Sequence, residues 1–330
     1  MVTIQEVAKE AQVSVGSVSR YLNGHKLKEQ NMQKIKQAIE TLDYKENLFA
    51  KGLKSNQTLS IGILMNNMQS VFSSTLIAQI EEEMESHNYS ILLNSYRNKI
   101  DKVAAKIDFL LDRKVDGLII FEGEPEWPVY ERLQTIEIPV ISVNTTLDYP
   151  HVDSIIVNNR QSAKNMISKI IDSGHDHMGV ISVPQKSSVA RDRLNGTFDA
   201  FSEKGLDDSD YQIFYGDYSQ KSGYQGAKTL IDQGLTTIFV TNYNMALGSL
   251  QYMFEKGLKL GEDISFACFD YPGVSDIFYP RLTTVRQPVH KMGTVTVNRM
   301  FERIKNPTIK NEIIQLENEI HWGNSIKEWK

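Results

Sequence analysis

The chain has 330 residues, more than one typical domain needs, and its hydrophobic content of 41% is ordinary for a protein that buries a core. Its net charge of −5 is uneven: residues 1–58 carry nine Lys or Arg against six Asp or Glu, a local +3 that leaves −8 for the remainder. A basic head on an acidic body fits a phosphate-bearing partner that the body itself repels. A lone cysteine, Cys268, excludes an intrachain disulfide, and no apolar run reaches the ~18 residues of a membrane span. With a polar N-terminus unlike a signal peptide, the expectation is a soluble, cytoplasmic chain with no membrane association.

In chain order, residues 3–23 predict two short helices joined by a tight turn at Ala11-Gln12-Val13. Thr3 is a good N-cap and Glu6 completes a capping box. Ile4, Val7 and Ala8 share one helix face. Ser14 caps the second helix, whose Val18 and Leu22 turn back on the first. That leaves Val15, Gly16, Ser17, Ser19 and Arg20 outside. A short helix with small residues at its start and an arginine toward its end suits entry into a major groove. Ile35, Ala38, Ile39 and Leu42 predict a third helix. Leu48 to Ser55 is a short mixed segment, and residues 54–58 read as a polar linker. From Leu59, short apolar runs alternate with amphipathic helices. Strands are expected at Ser60–Met65, Ser90–Asn94, Gly117–Phe121 and Pro139–Val143. A second series follows at Met178–Val183, Gln212–Tyr215, Thr237–Thr241 and Ile264–Phe269. One helix and a strand at Glu312–Glu317 close the chain. Apolar strands alternating with helices imply parallel sheets covered on both faces, and two series imply two doubly wound subdomains. Ligands bind at the carboxyl ends of such strands, so a cleft between the two is the natural site.

The run T-I-x-x-V-A-x-x-A-x-V-S-x-x-x-V-S-R-x-L-N from Thr3 to Asn23 resembles the N-terminus of the lactose/galactose repressor family. Asn47-Leu48-Phe49-Ala50-Lys51-Gly52-Leu53 resembles the family's hinge. Val189 to Gly196, Thr241 to Gly248, Phe269-Asp270 and Leu282 to Pro288 resemble its effector-binding half. The resemblance implies a small all-α helix-turn-helix head on two α/β subdomains of periplasmic-binding-protein type. The expected domains are 1–46 for DNA binding, 47–58 for the hinge, and 59–330 for effector binding and dimerisation. The two subdomains would be 59–157 plus 289–317, and 158–288 plus 318–330. The implied function is a sequence-specific transcriptional regulator, a repressor of carbohydrate-use genes, that binds operator DNA as a homodimer under control of a sugar-like effector.

Arg20 is the prime base reader, since a guanidinium matches the guanine O6/N7 edge. The resemblance places Val15 and Gly16 beside it at the reading positions. Thr3, Ser14, Ser17, Asn23 and His25 are candidates at the DNA backbone. In the resemblance Leu53 wedges into a minor-groove step, with Ala50 one turn earlier. Gly52, inside that hinge helix, favours disorder until DNA is present.

For the effector, an arginine, an amide and a carboxylate at neighbouring strand ends suit a polyol: Arg191, Asn242 and Asp270. Tyr218 is expected to stack on the ligand, with Ser70, Phe72 and Asn144 on the opposite wall. Two departures unsettle the ligand's identity. Tyr243 replaces the acidic residue usual after the matching asparagine, and residues 66–73 differ from the family's pattern. His175-Asp176-His177 reads as a structural turn, and no zinc, P-loop or dinucleotide motif is present, so neither cofactor, metal nor catalytic residue is expected. Glu81-Glu82-Glu83 reads as a solvated helix face. Trp127 beside Pro128 has no assignment from pattern. Two alternatives stay open: a global carbon-catabolite regulator answering to a phosphocarrier protein, and a sugar-binding protein or enzyme that does not touch DNA. Residues 1–58 argue against the second.

Overall fold

A computed structural model describes residues 2–22, 24–45, 57–68, 70–124, 127, 130–147, 149–269 and 278–328. The chain divides into two compact units, residues 1–59 and 60–330. Residues 47–56 of the expected hinge, Gly52 among them, lie outside the described residues.

The first unit is three helices, α1 (Ile4–Glu10), α2 (Val15–Leu22) and α3 (Glu29–Thr41). Val7, Ala8, Ala11, Val18, Ile35 and Ala38 form its core, closed by Tyr21, Leu22, Ile39 and Leu42. The turn between α1 and α2 passes through Gln12 at φ 52°, which lets the Val13 N–H reach the Ala8 carbonyl at 3.0 Å. That satisfies an end-of-helix carbonyl and sends the chain back across α1.

The second unit holds two six-stranded sheets. Strands β1 (Ser60–Met65), β2 (Ser90–Ser95), β3 (Gly117–Phe121), β4 (Val140–Val143), β5 (Val152–Val157) and, much later, β11 (Ile313–Leu316) make the first. Its order is β11-β5-β4-β3-β1-β2, and every pairing is parallel. Strands β6 (Met178–Ser182), β7 (Tyr211–Tyr215), β8 (Thr237–Val240), β9 (Ser265–Phe269), β10 (Thr283–Arg286) and β12 (Glu319–His321) make the second. Its order is β12-β10-β9-β8-β6-β7, parallel except for β12 against β10. Three strands, β5, β10 and β12, stand where the sequence pattern predicts none. Helices α4 (Val71–Ser86), α5 (Val103–Asp112) and α6 (Tyr130–Gln134) link the strands of the first lobe. In the second, α7 (Asn159–Asp172), α8 (Ser188–Lys204), α9 (Gln220–Asp232) and α10 (Tyr243–Glu255) do the same. Pairs α7–α8 and α9–α10 meet at glycines. A Cβ on Gly196 would lie 2.0 Å from the Arg160 carbonyl oxygen, and one on Gly248 1.8 Å from that of Gln220. Only glycine permits backbones this close.

The chain crosses between the lobes three times. It leaves β5 for α7, leaves β10 for α11 (Val289–Lys305), and leaves β11 for β12. Helix α11 packs on α4 in the first lobe, where a Cβ on Gly293 would lie 2.5 Å from Gln79 Cγ. Asn158 fastens two crossovers together. Its Oδ1 accepts from Ser162 Oγ and from the Asn318 N–H, both at 2.8 Å, and its Nδ2 donates to Glu317.

Helix α11 also closes a buried charge cluster. Asp153, the second residue of β5, is fully buried. Arg299 reaches it at 3.0 Å, the Glu312 N–H donates to it at 2.7 Å, and the buried Arg303 grips both its oxygens. His175 is held structurally: its Nδ1 meets the Thr237 hydroxyl at 2.8 Å and its Nε2 the Lys327 carbonyl at 2.6 Å. Burial depresses its basicity, so the ring is held neutral.

Candidate functional site

In the head, Thr3 accepts from the Glu6 N–H at 3.3 Å and its own N–H donates to Glu6 Oε2 at 2.7 Å. The bond from the Thr3 N–H foremost, and a second from the Thr3 hydroxyl at 2.9 Å, hold the Glu6 carboxyl below its ordinary range. Ser14 Oγ accepts from the Ser17 N–H at 3.1 Å and meets the Ser17 hydroxyl at 3.0 Å. Thr3 and Ser14 therefore cap helices and Ser17 lies in the first turn of α2, so all three are near α1 and α2 N-termini that would favour phosphate. Val15 is 42% exposed, and nothing but Ser14 Oγ, at 3.8 Å, lies near where a Gly16 Cβ would be. Arg20 is exposed, its Nε donating to the Gly16 carbonyl at 3.3 Å. That bond folds the side chain along the helix and leaves the guanidinium nitrogens Nη1 and Nη2 available. The His25 N–H bonds the Arg20 carbonyl at 2.9 Å, so an exposed His25 follows closely on α2. Asn23, Ala50 and Leu53 lie outside the described residues.

In the second unit, the carboxyl ends of the strands bring together groups from both lobes. Asn144, directly after β4, has φ 69° and is buried, and its Oδ1 has no hydrogen bond. Ser70 caps α4, accepting from the Ser73 N–H at 3.3 Å, and Phe72 is buried in the first turn of that helix. Tyr96 follows β2 and packs edge-on against Trp127 at 5.1 Å, which gives that tryptophan its place. Burial raises the Tyr96 phenol above its ordinary range, and the charges of Glu122 and Glu124, with Tyr218 of the second lobe, add to this.

On the second lobe, Asn242 caps α10, its Oδ1 accepting from the Asn244 and Met245 N–H groups at 3.1 and 3.3 Å. Its Nδ2 stays available. Tyr218 is 42% exposed at φ 71°. Arg191 turns back on its own loop, donating to the Lys186 carbonyl at 2.8 Å and the Gln185 carbonyl at 3.3 Å. Arg193 is the arginine that reaches the strand ends. It is buried, donates to Asn159 Oδ1 at 2.9 Å and to the Thr241 carbonyl at 2.7 Å, and lies over the Phe269 ring at 4.1 Å. The sequence carries a signal for this. Arg193 is three residues before Gly196, which fixes α8 against α7, so its direction is set by the tightest contact of the helix. Asp270 lies outside the described residues.

One carboxylate spans the cleft. Glu124, just after β3, accepts from the Ser188 N–H at the start of α8 with both oxygens at 3.2 Å, and Arg191 Nη2 is 3.6 Å away. A negative group at a helix N-terminus is stabilising by about 0.3–1 kcal/mol, and by up to ~2 kcal/mol when partly buried. Sequence pattern gave no reason to single Glu124 out, because its partner is 64 residues away. Ser188 Oγ beside it is buried without a hydrogen bond, as is Asn144 Oδ1 on the other lobe. Buried polar atoms left unmet on both walls are what a ligand with hydroxyls would satisfy. Glu124→Gln keeps the acceptor and removes the charge. It is expected to loosen cleft closure, raising amide exchange at residues 188–191 by a few-fold without changing global stability. Unchanged exchange there would mean that Glu124 is a passive cap.

A family model for bacterial regulatory proteins of the lacI family matches residues 3–47, and one for periplasmic binding proteins and the sugar binding domain of the LacI family matches residues 58–321. The chain belongs to the LacI family. Catabolite control protein A of Priestia megaterium is 30% identical over 330 residues, covering 99% of each chain. The HTH-type transcriptional repressor PurR of Histophilus somni (strain 129Pt) is 30% identical over 331 residues, again covering 99% of each. Among solved structures, the Lac repressor dimer bound to operator and the anti-inducer ONPF shares the fold, with a TM-score of 0.84 at 24% identity and 99% coverage of both chains. This LacI-family chain is a DNA-binding transcriptional regulator controlled by a ligand. Its relatives are regulators rather than enzymes. No described helix is long and apolar enough to cross a membrane.

Proposed function

We propose that the chain is a cytoplasmic repressor of carbohydrate-use genes. It grips a palindromic double-stranded operator as a homodimer, through residues 1–46 and a hinge at 47–58. Residues 59–330 take up a small sugar-like effector between the lobes and carry the dimer contacts. The observation that carries this reading is the make-up of the cleft. Arg193, the Asn242 amide, Asn144 and Ser188 supply fixed donors and acceptors, while Tyr96, Trp127 and Tyr218 supply aromatic faces. A sugar needs both, hydrogen bonds at its rim and an apolar surface under its C–H face. The matching test is calorimetry of the full chain against a panel of neutral sugars, with operator affinity measured in parallel. If no sugar bound and none altered operator affinity, the carbohydrate assignment would fall.

The head gives a separate expectation. An exposed Arg20 on a helix fit for the major groove supports base reading. Arg20→Ala is expected to weaken operator binding by about 1–3 kcal/mol and non-specific DNA far less. Operator affinity should also fall steeply with salt as phosphate contacts release counterions. Equal losses on both DNAs in a gel-shift titration would make Arg20 a phosphate clamp.

A further inference from the structure

A second, cationic pocket opens on the first lobe, at the sheet edge formed by β2. Its volume is about 380 Å³, and Arg97, Lys99, Lys102 and Lys106 line it with Asn94 and Tyr96. None of the four cations forms an ion pair with a described residue, and the acid in the same loop, Asp101, pairs with none of them. Four like charges around one concavity repel one another and favour an anion.

Two further observations point the same way. Asn94 is only 8% exposed and lines the pocket, and its side chain makes no hydrogen bond with any described residue, so its amide is open to a ligand there. Helix α5 continues a 3-10 turn over Ile100–Lys102, which carries Asp101 and takes up the Val103 N–H at the Ile100 carbonyl, and it has no side-chain cap. The N–H groups that follow in its first turn favour negative charge. The loop is also preformed. Arg97 and Asn98 adopt φ of 51° and 58°, and Asn66 holds Asn98 through reciprocal bonds of 2.6 and 2.7 Å. Lys99 and Lys102 are tied in by backbone bonds of 2.9 Å to the carbonyls of Tyr96 and Lys99.

We propose that this pocket binds the phosphate group of a small phosphate monoester, giving the chain a second ligand site. A dianion would be met by the four cations, the Asn94 Nδ2 and the start of α5. Tyr96, Leu93 and Met68 supply an apolar wall for the esterified part. A concavity of this size suits a small molecule, whereas a duplex backbone calls for an extended stripe of cations. The pocket shares Tyr96 with the cleft, but none of its four cations enters the sugar assignment, so the two readings can fail separately.

The test is calorimetry of the full-length chain with phenyl phosphate, inorganic phosphate and phenol at low ionic strength. Phenyl phosphate should bind saturably and weaken as salt rises, with phenol at least tenfold weaker. Lys99→Gln combined with Lys102→Gln should lower phenyl phosphate affinity at least tenfold, and Asn94→Leu several-fold. The paired lysine variant changes only exposed side chains, so folding is not at stake. Absence of saturable binding, phenol binding as tightly as its phosphate, or unchanged affinity in the lysine variant would overturn the proposal. So would loss of binding in Arg193→Met with the lysine variant unaffected, which would move the anion to the cleft. A phosphoserine peptide binding where phenyl phosphate does not would overturn the small-molecule assignment.

Discussion

Asp153→Ala is expected to destabilise the second unit by about 3–5 kcal/mol, a large share of a typical domain's total stability. Removing the carboxylate leaves Arg299 and Arg303 buried around an empty centre, and it is that uncompensated charge, rather than the lost attraction, that sets the size of the effect. The Glu312 N–H also loses its acceptor, which loosens β11 at the sheet edge. Urea denaturation monitored by circular dichroism should show a lower midpoint with little change in slope. A loss below about 1 kcal/mol would mean that water reaches the arginines and the cluster is less enclosed than its geometry implies. The same group predicts an acid limb. Burial alone would raise the Asp153 carboxyl, but hydrogen bonds from Arg303, Arg299 and the Glu312 N–H outweigh it and hold the group below its ordinary range. A depressed folded-state value contributes stability above the ordinary carboxylate range, and that contribution is lost as pH falls through the folded value. Stability should therefore fall on acidification below about pH 4, and Asp153→Asn should flatten that part of the profile.

Arg193→Met is expected to abolish the effector response while operator affinity without effector stays near that of the parent chain. Truncating one partner of a buried, charge-assisted bond costs about 2–5 kcal/mol, or roughly thirty-fold to several-thousand-fold in affinity. Methionine keeps much of the side-chain volume over Phe269 but cannot donate to Thr241 or Asn159. Arg191→Met is the internal comparison. Arg191 serves its own loop and Glu124, so its loss should alter closure more than affinity. Calorimetry with whichever sugar the parent chain binds separates the two. Equal loss in both variants would make the arginines one network, and loss in Arg191→Met alone would return the site to that residue.

The alternation of apolar strands and amphipathic helices made the α/β class legible in the sequence, and the capped pair of helices made the head so. The strands it concealed share a cause. Strand β5 carries Asp153 and Ser154 just after its first residue, and they leave too short an apolar run to read. Only the arginines of α11, about 150 residues on, explain the charge. Strand β10 is rich in threonine, and β12 is a three-residue edge strand with no apolar alternation to read. The same distance effect governs the cleft. Candidate residues next to strand ends could be proposed from local pattern. Which of Arg191 and Arg193 points inward depends on the seating of α8 on α7, and Glu124 depends on a contact between lobes. Local periodicity carries neither kind of information.

The division of the second unit into two separate sheets bears on how such a chain could change over generations. No strand is shared between the lobes, and each has its own buried core. Residues at the carboxyl ends of the strands can therefore be exchanged without disturbing either interior. The departures at Tyr243 and at residues 66–73 are substitutions of this kind. A new effector can be accommodated by altering the rim, while the crossovers, the Asn158 clasp and the Asp153 cluster need not change. The residues that set specificity are thereby separate from those that hold the two lobes together.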